Sequence, residues 1–437
     1  RDARGGVTSY TYDLVGNLTS LTDPVGNTTT WVYDDLDRVI QDTNELNDSR
    51  YYAYDAVGNL TQYTDRNGRV IQYEYDALNR MVEERWLDGQ TLLRTLAFAW
   101  DAAGQLTAAS DPDSAYAFGY DGAGRLTSVS NAGTPGVPMV LLEMQYDRLH
   151  RRTQLKATID GTADFVTSYT WDTLSRITRI EQQGQQGGNA VAEKRVDFQY
   201  NALGRFTLIR RYNDLDGQHE HLVAASSFSY DALARLTGLE HAHAGGGIAY
   251  AWQFDAAGRI VSFVSPDGTS LYEYDETGQL VLADHDYQPD EAHEFDLNSN
   301  RIISGYQVGT NNRLLSDGVF TYEYDAEGNV IRRTRISTDP SDDHVMELEW
   351  DHRNRLTRVV FRNNQGTVTR EVLYTYDVFD RRIRKQIDWD GAGAGLAEAI
   401  AYVYDQDDIV LAFDGTGSLT NRYLHGPLVD QVLADEN

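Results

Sequence analysis

Stretches in which aromatic and polar residues alternate recur along the chain: Tyr10-Thr11-Tyr12, Tyr52-Ala53-Tyr54, Tyr73-Glu74-Tyr75, Tyr272-Glu273-Tyr274 and Tyr322-Glu323-Tyr324. A period of two with aromatics on one side predicts a half-buried β-strand. The last aromatic is followed by Asp, two variable residues, a turn residue, a polar residue and an apolar one, as in Tyr12-Asp13-Leu14-Val15-Gly16-Asn17-Leu18. The unit returns with its aromatic at Tyr33, Tyr54, Tyr75, Trp100, Tyr120, Tyr146, Trp171, Tyr200, Tyr230, Phe254, Tyr274, Phe295, Tyr324, Trp350 and Tyr376, and less regularly at Tyr404 and Phe413. The first three intervals are 21 residues each and most later ones fall between 20 and 30, the signature of a fixed strand pair joined by loops of variable length.

Each column of the repeat has a physical task. The aromatic is Tyr 12 times, Trp 3 times and Phe 3 times, and the next residue is Asp in every copy except Asn201. Three residues after it stands one that tolerates a left-handed backbone: Gly in 9 copies, and Asp37, Asn79, His150, Asn354, Asp380 and Asp408 in 6 more. This pairing predicts a type I turn whose Asp carboxylate accepts backbone N–H bonds, closed into a hairpin by the left-handed residue. The turns so expected include Tyr12, Asp13 and Gly16; Tyr54, Asp55 and Gly58; Tyr120, Asp121 and Gly124; Tyr274, Asp275 and Gly278; and Tyr324, Asp325 and Gly328. Second turns, such as Asp23-Pro24-Val25-Gly26-Asn27, Asp65-Arg66-Asn67-Gly68 and Ser265-Pro266-Asp267-Gly268, link one unit to the next. Two turns per unit leave roughly 6 or 7 residues per strand, so a continuous antiparallel meander of about 35 strands follows.

Size then selects the architecture. Laid flat at about 4.8 Å per strand, such a sheet is roughly 165 Å wide, and open twisted sheets rarely pass about 10 strands without curling. A propeller calls for alternating repeat types with a period of about 40 residues. A parallel β-helix has no need of an Asp-x-x-Gly hairpin turn in every coil. A coiled single-layer sheet fits best.

Composition changes this picture in three ways. Lys and Arg number 38 against 67 Asp and Glu in 437 residues, a formal charge of −29. Such a surface repels phosphate backbones and anionic membranes, which bind through clustered cations. There is no Cys, which removes disulfides, thiolate metal sites and cysteine nucleophiles together. A mean hydropathy of −0.52 is too polar for membrane-spanning helices, and 41% hydrophobic residues are too many for a disordered acidic tail. The 28 Tyr and much of the 37 Gly are the repeat seen at two positions. The turn Asp residues explain 17 of the 67 acids, and the balance without them is still acidic.

Tyr-Asp-Ala-Val-Gly-Asn-Leu-Thr at 54–61, Tyr-Asp-Gly-Ala-Gly-Arg-Leu-Thr at 120–127 and Tyr-Asp-Ala-Glu-Gly-Asn-Val at 324–330 resemble the YD repeats of RHS proteins, and the resemblance runs along essentially the whole chain. Arg422 to Pro427, with Asp430, Gln431, Val432 and Leu433, is similar to the segment that closes the repeat region in bacterial RHS proteins. The resemblance implies an all-β fold of tandem hairpins, one antiparallel sheet coiled into a spiral, hollow, shell-like wall. It names as relatives the bacterial RHS toxins, the BC component of Tc toxins and the teneurin YD shell. In bacterial members the shell holds a variable C-terminal toxin, and a downstream core domain plugs it and in many members releases the toxin with acidic residues. The implied division is 17 or 18 repeats over 1–421, then 422–437 leading into a core domain absent from this sequence. A start at Arg1 inside a repeat is expected of a segment cut from a longer protein.

Other motifs are weighed against the repeat. Paired carboxylates suit glycoside hydrolysis only in two distinct environments, whereas here one Asp caps every turn. His241 and His243 share a face if on a strand and suit a metal, but they lack a third ligand and sit beside Gly245 to Gly247, which favours a solvated loop. His219 and His221 are alike in this. Asp296, Asn298 and Asn300 imitate the start of an EF-hand loop, but Arg301 and Gln307 replace the required Gly and Glu. Asp388, Asp390 and Gly391, with Gly393 and Gly395, match no phosphate loop. Arg152, Arg301 and Arg382 stand where an apolar residue should follow the turn, and segments 181–195 and 388–399 read as rim loops.

The expectation is therefore a structural protein and not an enzyme, with no catalytic, metal or cofactor residues: a section of shell enclosing a C-terminal effector of the same parent, exported or at the cell surface. An adhesion or carbohydrate-binding module using exposed Tyr-rich strands is the alternative, although cross-strand Tyr pairs explain the same pattern. Unpaired sheet edges add a third expectation, self-association.

Overall fold

The computed structural model describes residues 1–337, 343–391, 398–428 and 431–437. Among these are 37 strands, and within each of two runs every strand pairs antiparallel with the next in sequence. They form a run of 25 from Ser9–Tyr12 to Glu291–Ala292, then a run of 12 from Tyr306–Val308 to Val432–Glu436. A single bridge, Phe295 with Arg301, lies in the link between them.

The local sequence explains why the meander curls. At the aromatic of each unit the register slips by one residue: Thr11 faces Ser20, but Tyr12 faces Leu18, and the same slip recurs at Tyr33, Tyr54, Tyr75 and Tyr120. An extra residue on one strand bends it and increases its twist. Repeated at the same end of every hairpin, the slip bends the sheet always in one sense.

Contacts far apart in sequence show the coil directly. Arg4 donates to Phe295 O, Asn298 to Asp23, Arg50 to Glu327, Arg353 to Glu84, Val378 N to Ser114, Arg152 to Asp405, and Lys194 to Glu436. The separations fall from 291 to 242 residues along the chain. One turn of the spiral therefore takes about 23 strands at its start, from Thr28–Tyr33 to Glu291–Ala292. At about 4.8 Å per strand that is roughly 110 Å around and about 35 Å across between strand centres.

The core lies where the coils overlap. Val140, Leu142, Met144, Leu155, Ala157 and Phe165 of the first coil pack against Ala401, Val403, Val410, Leu411 and Phe413 of the second. Ile177, Ile180, Val196, Phe198 and Ile209 meet Leu424 and Leu433, and Ile71, Trp86, Leu96 and Ala109 meet Val378. The opening strand Ser9–Tyr12, by contrast, is exposed throughout.

Two sequence expectations need correction here, and two others fall partly outside the described residues. Segment 181–195 is not all loop, because strands Ile177–Gly184 and Lys194–Tyr200 enter it and bury Gln182 and Lys194. Of segment 388–399, residues 392–397, Gly393 and Gly395 among them, lie outside the described residues, as does Asp430. Asp408 is not left-handed: Asp405 pairs with Asp408 across a two-residue turn, and Gln406 takes the positive φ of 56°.

Candidate functional site

The hairpin turn is built around one carboxylate. Asp13 Oδ1 accepts the N–H groups of Val15, Gly16 and Asn17 at 3.0, 2.8 and 2.8 Å, and the Asp13 N–H donates to Asn17 O at 3.0 Å. Gly16 has φ 102°, while Ser175, Ala234 and Ser299 are held at 60°, 62° and 69° although their side chains oppose it. In the unit at Tyr120 the Arg125 side chain, followed by backbone N–H groups, holds the Asp121 carboxyl below its ordinary range.

The aromatic column favours Tyr and Trp because the ring tip links one unit to the one before. Tyr33 Oη donates to Leu18 O at 2.8 Å, Tyr54 to Val39 O at 2.9 Å, and Tyr75 to Leu60 O at 3.0 Å. Trp100, Trp171 and Trp350 Nε1 reach the equivalent carbonyls of Met81, Arg152 and Val330 at 2.9 Å. Burial pushes the Tyr200 hydroxyl up to about 12, so it stays a neutral donor to Ile177 O.

A second link runs forward from the polar residue after the turn. Arg125 Nε donates to Asp121 Oδ2 at 2.7 Å, its Nη1 to Asp147 O of the next unit at 3.0 Å, and its guanidinium lies 5.0 Å from the Tyr146 ring centre. Arg38, Arg80, Arg151, Arg176 and Arg235 repeat this. Asn is too short to reach that carbonyl, and where it occupies the column the next unit answers with a side chain. Asn17 donates to Asp37 Oδ1 at 2.8 Å, Asn59 to Asn79 Oδ1 at 3.1 Å, and Asn329 to Asn354 Oδ1 at 2.9 Å. Asp37, Asn79 and Asn354 thus do two tasks, turning the chain and accepting this bond. The sequence shows the pairing in the two columns, but reading each column alone missed it.

The seam between the coils is polar at its turns and apolar between them. Arg69 donates to the carbonyls of Trp350 and Asp351 and to Asn354 Oδ1, and Arg353 grips Glu84 through Nε at 2.9 Å and Nη2 at 2.6 Å. The His352 ring stacks on Trp86, centroids 5.2 Å apart. Arg422 makes a two-pronged pair with the fully buried Asp164, at 2.8 and 2.9 Å. Burial pushes the Glu327 carboxyl up, but Arg50 and the Arg66 N–H overcome that and hold it below its ordinary value. A cavity of about 480 Å³ opens in this seam beside Arg152, Asp405 and His425. Arg152 is one of the sequence departures, and that departure was the available signal.

The remaining candidates stay apart from one another. His241 and His243 lie on strand Leu236–His243, not in a solvated loop; His241 Nδ1 meets Ser226 Oγ at 2.8 Å, and His243 accepts the Gly245 N–H. His221 Nδ1 lies 2.8 Å from Asp214 and close to Asp216, the one such cluster found among the described residues, with Asp216 exposed and His219 not included. Asp296 accepts the N–H groups of Asn298 and Asn300 in the manner of the Asp13 turn. Arg301 sits in the bridge with Phe295, and Arg382 lies over the rings of Tyr374 and Tyr402.

Comparison with known proteins gives this architecture its class. The RHS Repeat model matches residues 1–28, 12–47, 54–91 and 100–135, and the Teneurin YD-shell model matches 219–394. The chain is an RHS/YD-repeat shell protein. It is similar to two proteins of Dickeya dadantii (strain 3937): the probable deoxyribonuclease RhsA, 27% identical over 59% of this chain, and the probable deoxyribonuclease RhsB, 26% identical over 67%. It spans only 15% and 19% of their lengths. Among solved structures, TcdB2-TccC3 without its hypervariable C-terminal region aligns with 98% of this chain and 27% of its own, at TM-score 0.53 and 13% identity. TcdB2-TccC3-Cdc42 aligns with 96% of this chain and 24% of its own, at 0.50 and 15%. These two share the fold, a spiral wall of hairpins that is not closed into a barrel. No helix among the described residues is long and apolar enough to cross a membrane.

Proposed function

We propose that this segment is a non-enzymatic stretch of wall that encloses and shields a C-terminal effector of the same parent protein, which is exported or displayed at the cell surface. The repeat array over 1–421 forms the wall, and 422–437 leads towards the domain that closes it. The observation that carries this reading is the seam: the sheet passes over its own start and locks there through buried ion pairs and apolar clusters. A flat adhesive sheet has no need of such a seam, whereas a container needs each coil sealed to the next. Protease treatment of the parent protein tests it. Residues following the shell are expected to resist cleavage while the array is intact and to be cut once Arg353→Met and Arg422→Met open the seam. Equal cleavage of both forms overturns the reading.

One observation favours a second reading. Trp252, Phe263, Tyr272 and Tyr274 line an open groove with Ile260 and Leu280, and Tyr250 stacks on Phe263 with the rings 2° from parallel. Aromatic faces of this kind suit sugar rings. Saturable binding on a glycan array that is lost in Trp252→Ala would favour carbohydrate recognition. Growth of light scattering with concentration would point instead to pairing of the sheet edges.

A further inference from the structure

On one face of the sheet a row of polar side chains crosses the six strands from Thr162–Trp171 to Leu236–His243. Thr167 pairs with Gln182, and Gln182 with Lys194. Arg211 lies opposite Val196, two residues on from Lys194, and Ser226 lies opposite Ile209, two residues before Arg211, so both keep the same face. His241, opposite Ser226, ends the row. The second coil serves the first half of it. Gln182 donates to Thr167 Oγ1 at 3.1 Å, Lys194 donates to Gln182 Oε1 at 3.2 Å, and Glu436 supplies the carboxylate for Lys194.

Arg211 stands one strand further along. Among the described residues the acceptor it holds is Ser226 Oγ, 2.8 Å from its Nη1, and Ser226 Oγ in turn meets His241 Nδ1 at 2.8 Å. Ser226 is fully buried and fixes one edge of the guanidinium, whose other N–H groups form the planar fork that suits a carboxylate. Burial alone draws Arg211 below its ordinary value, whereas at Arg353 and Arg422 burial acts in the same sense and the carboxylates of Glu84 and Asp164 overcome it. Acids on the neighbouring strand and the following loop are committed, Asp197 to Arg179 and Arg195, and Asp214 to His221. Glu84, Asp164 and Lys194 each meet an opposite charge brought by the second coil. Arg211 continues that series one strand past the last covered position.

We propose, resting on the shell reading above, that Arg211 is the docking point for a carboxylate on the polypeptide that follows this segment in the parent protein. The seam then runs on from Lys194 and Glu436 across strands Phe206–Tyr212 and Leu222–Tyr230. Hydrogen exchange of the parent protein and of the 437-residue chain tests it. Arg211→Met keeps the stem and removes the charge. In the parent, amides of those two strands should exchange about tenfold faster or more. In the 437-residue chain the same substitution should change them less than about twofold, since no carboxylate is lost there. Arg211→Lys keeps the charge and should leave the parent close to the wild type; it carries the comparison if Arg211→Met does not fold in the parent. Equal acceleration by Arg211→Met in both proteins, no acceleration in the parent, or damage by Arg211→Lys as large as that by Arg211→Met overturns the proposal. If Arg353→Met still opens the parent to protease while Arg211→Met does nothing, the shell reading stands and the docking point falls. If neither substitution has an effect, both fall.

Discussion

Replacing Arg422 by Met is the sharpest test of the coiled architecture, because the residue it serves lies 258 positions away. Asp164 is fully buried and Arg422 nearly so. Two charge-assisted bonds at 2.8 and 2.9 Å join them, and the remaining side-chain donor to Asp164 is the neutral amide of Asn189 at 2.8 Å. Methionine keeps the stem's packing and strands the carboxylate with one donor. Breaking a buried pair in this way costs about 3–5 kcal/mol, and retention of Asn189 places the expected loss near 3 kcal/mol, or roughly 150-fold in an opening equilibrium. Hydrogen exchange of the backbone is the assay. Amides of Leu419–His425 and Thr162–Trp171 should exchange about 150-fold faster, while Ser9–Tyr12 should not change, since repeat arrays couple mainly to their neighbours. The double variant Asp164→Leu with Arg422→Met removes both charges and should recover most of the loss. Acceleration below about fivefold in the single variant, or no recovery in the double, would refute the claim that this pair locks one coil to the next.

Other expectations follow from the same geometry. Tyr146→Phe removes the 2.7 Å bond to Leu126 O and should lower stability by about 1 kcal/mol, read as a shift of the urea midpoint with unchanged slope. Ala234→Gly relieves a side chain held at φ 62° and should raise stability by about 1 kcal/mol; a destabilised variant would show that the Ala234 methyl packs usefully. The Glu327 carboxyl is held below its ordinary value, so the stability it lends is present above the unfolded value, near 4.5, and is lost as the pH falls through the lower folded one. Acid titration should therefore loosen the contact of Arg50 and Arg66 with Glu327 below pH ~4.5. Glu327→Gln should flatten that part of the profile, and an unchanged profile would remove Glu327 from the seam's pH response.

Much of this molecule is local and was readable as such. The Asp13 turn, its left-handed Gly16 and the alternation of Tyr10 and Tyr12 involve residues only a few positions apart, so spacing alone predicts a hairpin meander. The need to coil also follows from strand number and sheet twist without any contact being known. Even the handover from Asn17 to Asp37 was present as a correlation between two columns, because neighbouring units keep a constant offset.

What the sequence could not determine is which residues meet across the seam. The offset drifts from 291 to 242 residues as a turn of the spiral takes fewer strands, and no local pattern records that number. Glu84 and Arg422 look like ordinary exposed charges on strands and Arg152 like a misplaced one, and only the return of the chain over its own start buries them against Arg353, Asp164 and Asp405. The cavity likewise needs a shortened turn on one coil and a misplaced Arg on the other to fall at the same height. The repeat by itself settled the hairpin and the strand order, since those energies are local; the coil-to-coil contacts settled the core, the buried ion pairs and the cavity, since desolvation acts only on groups that the tertiary fold removes from water.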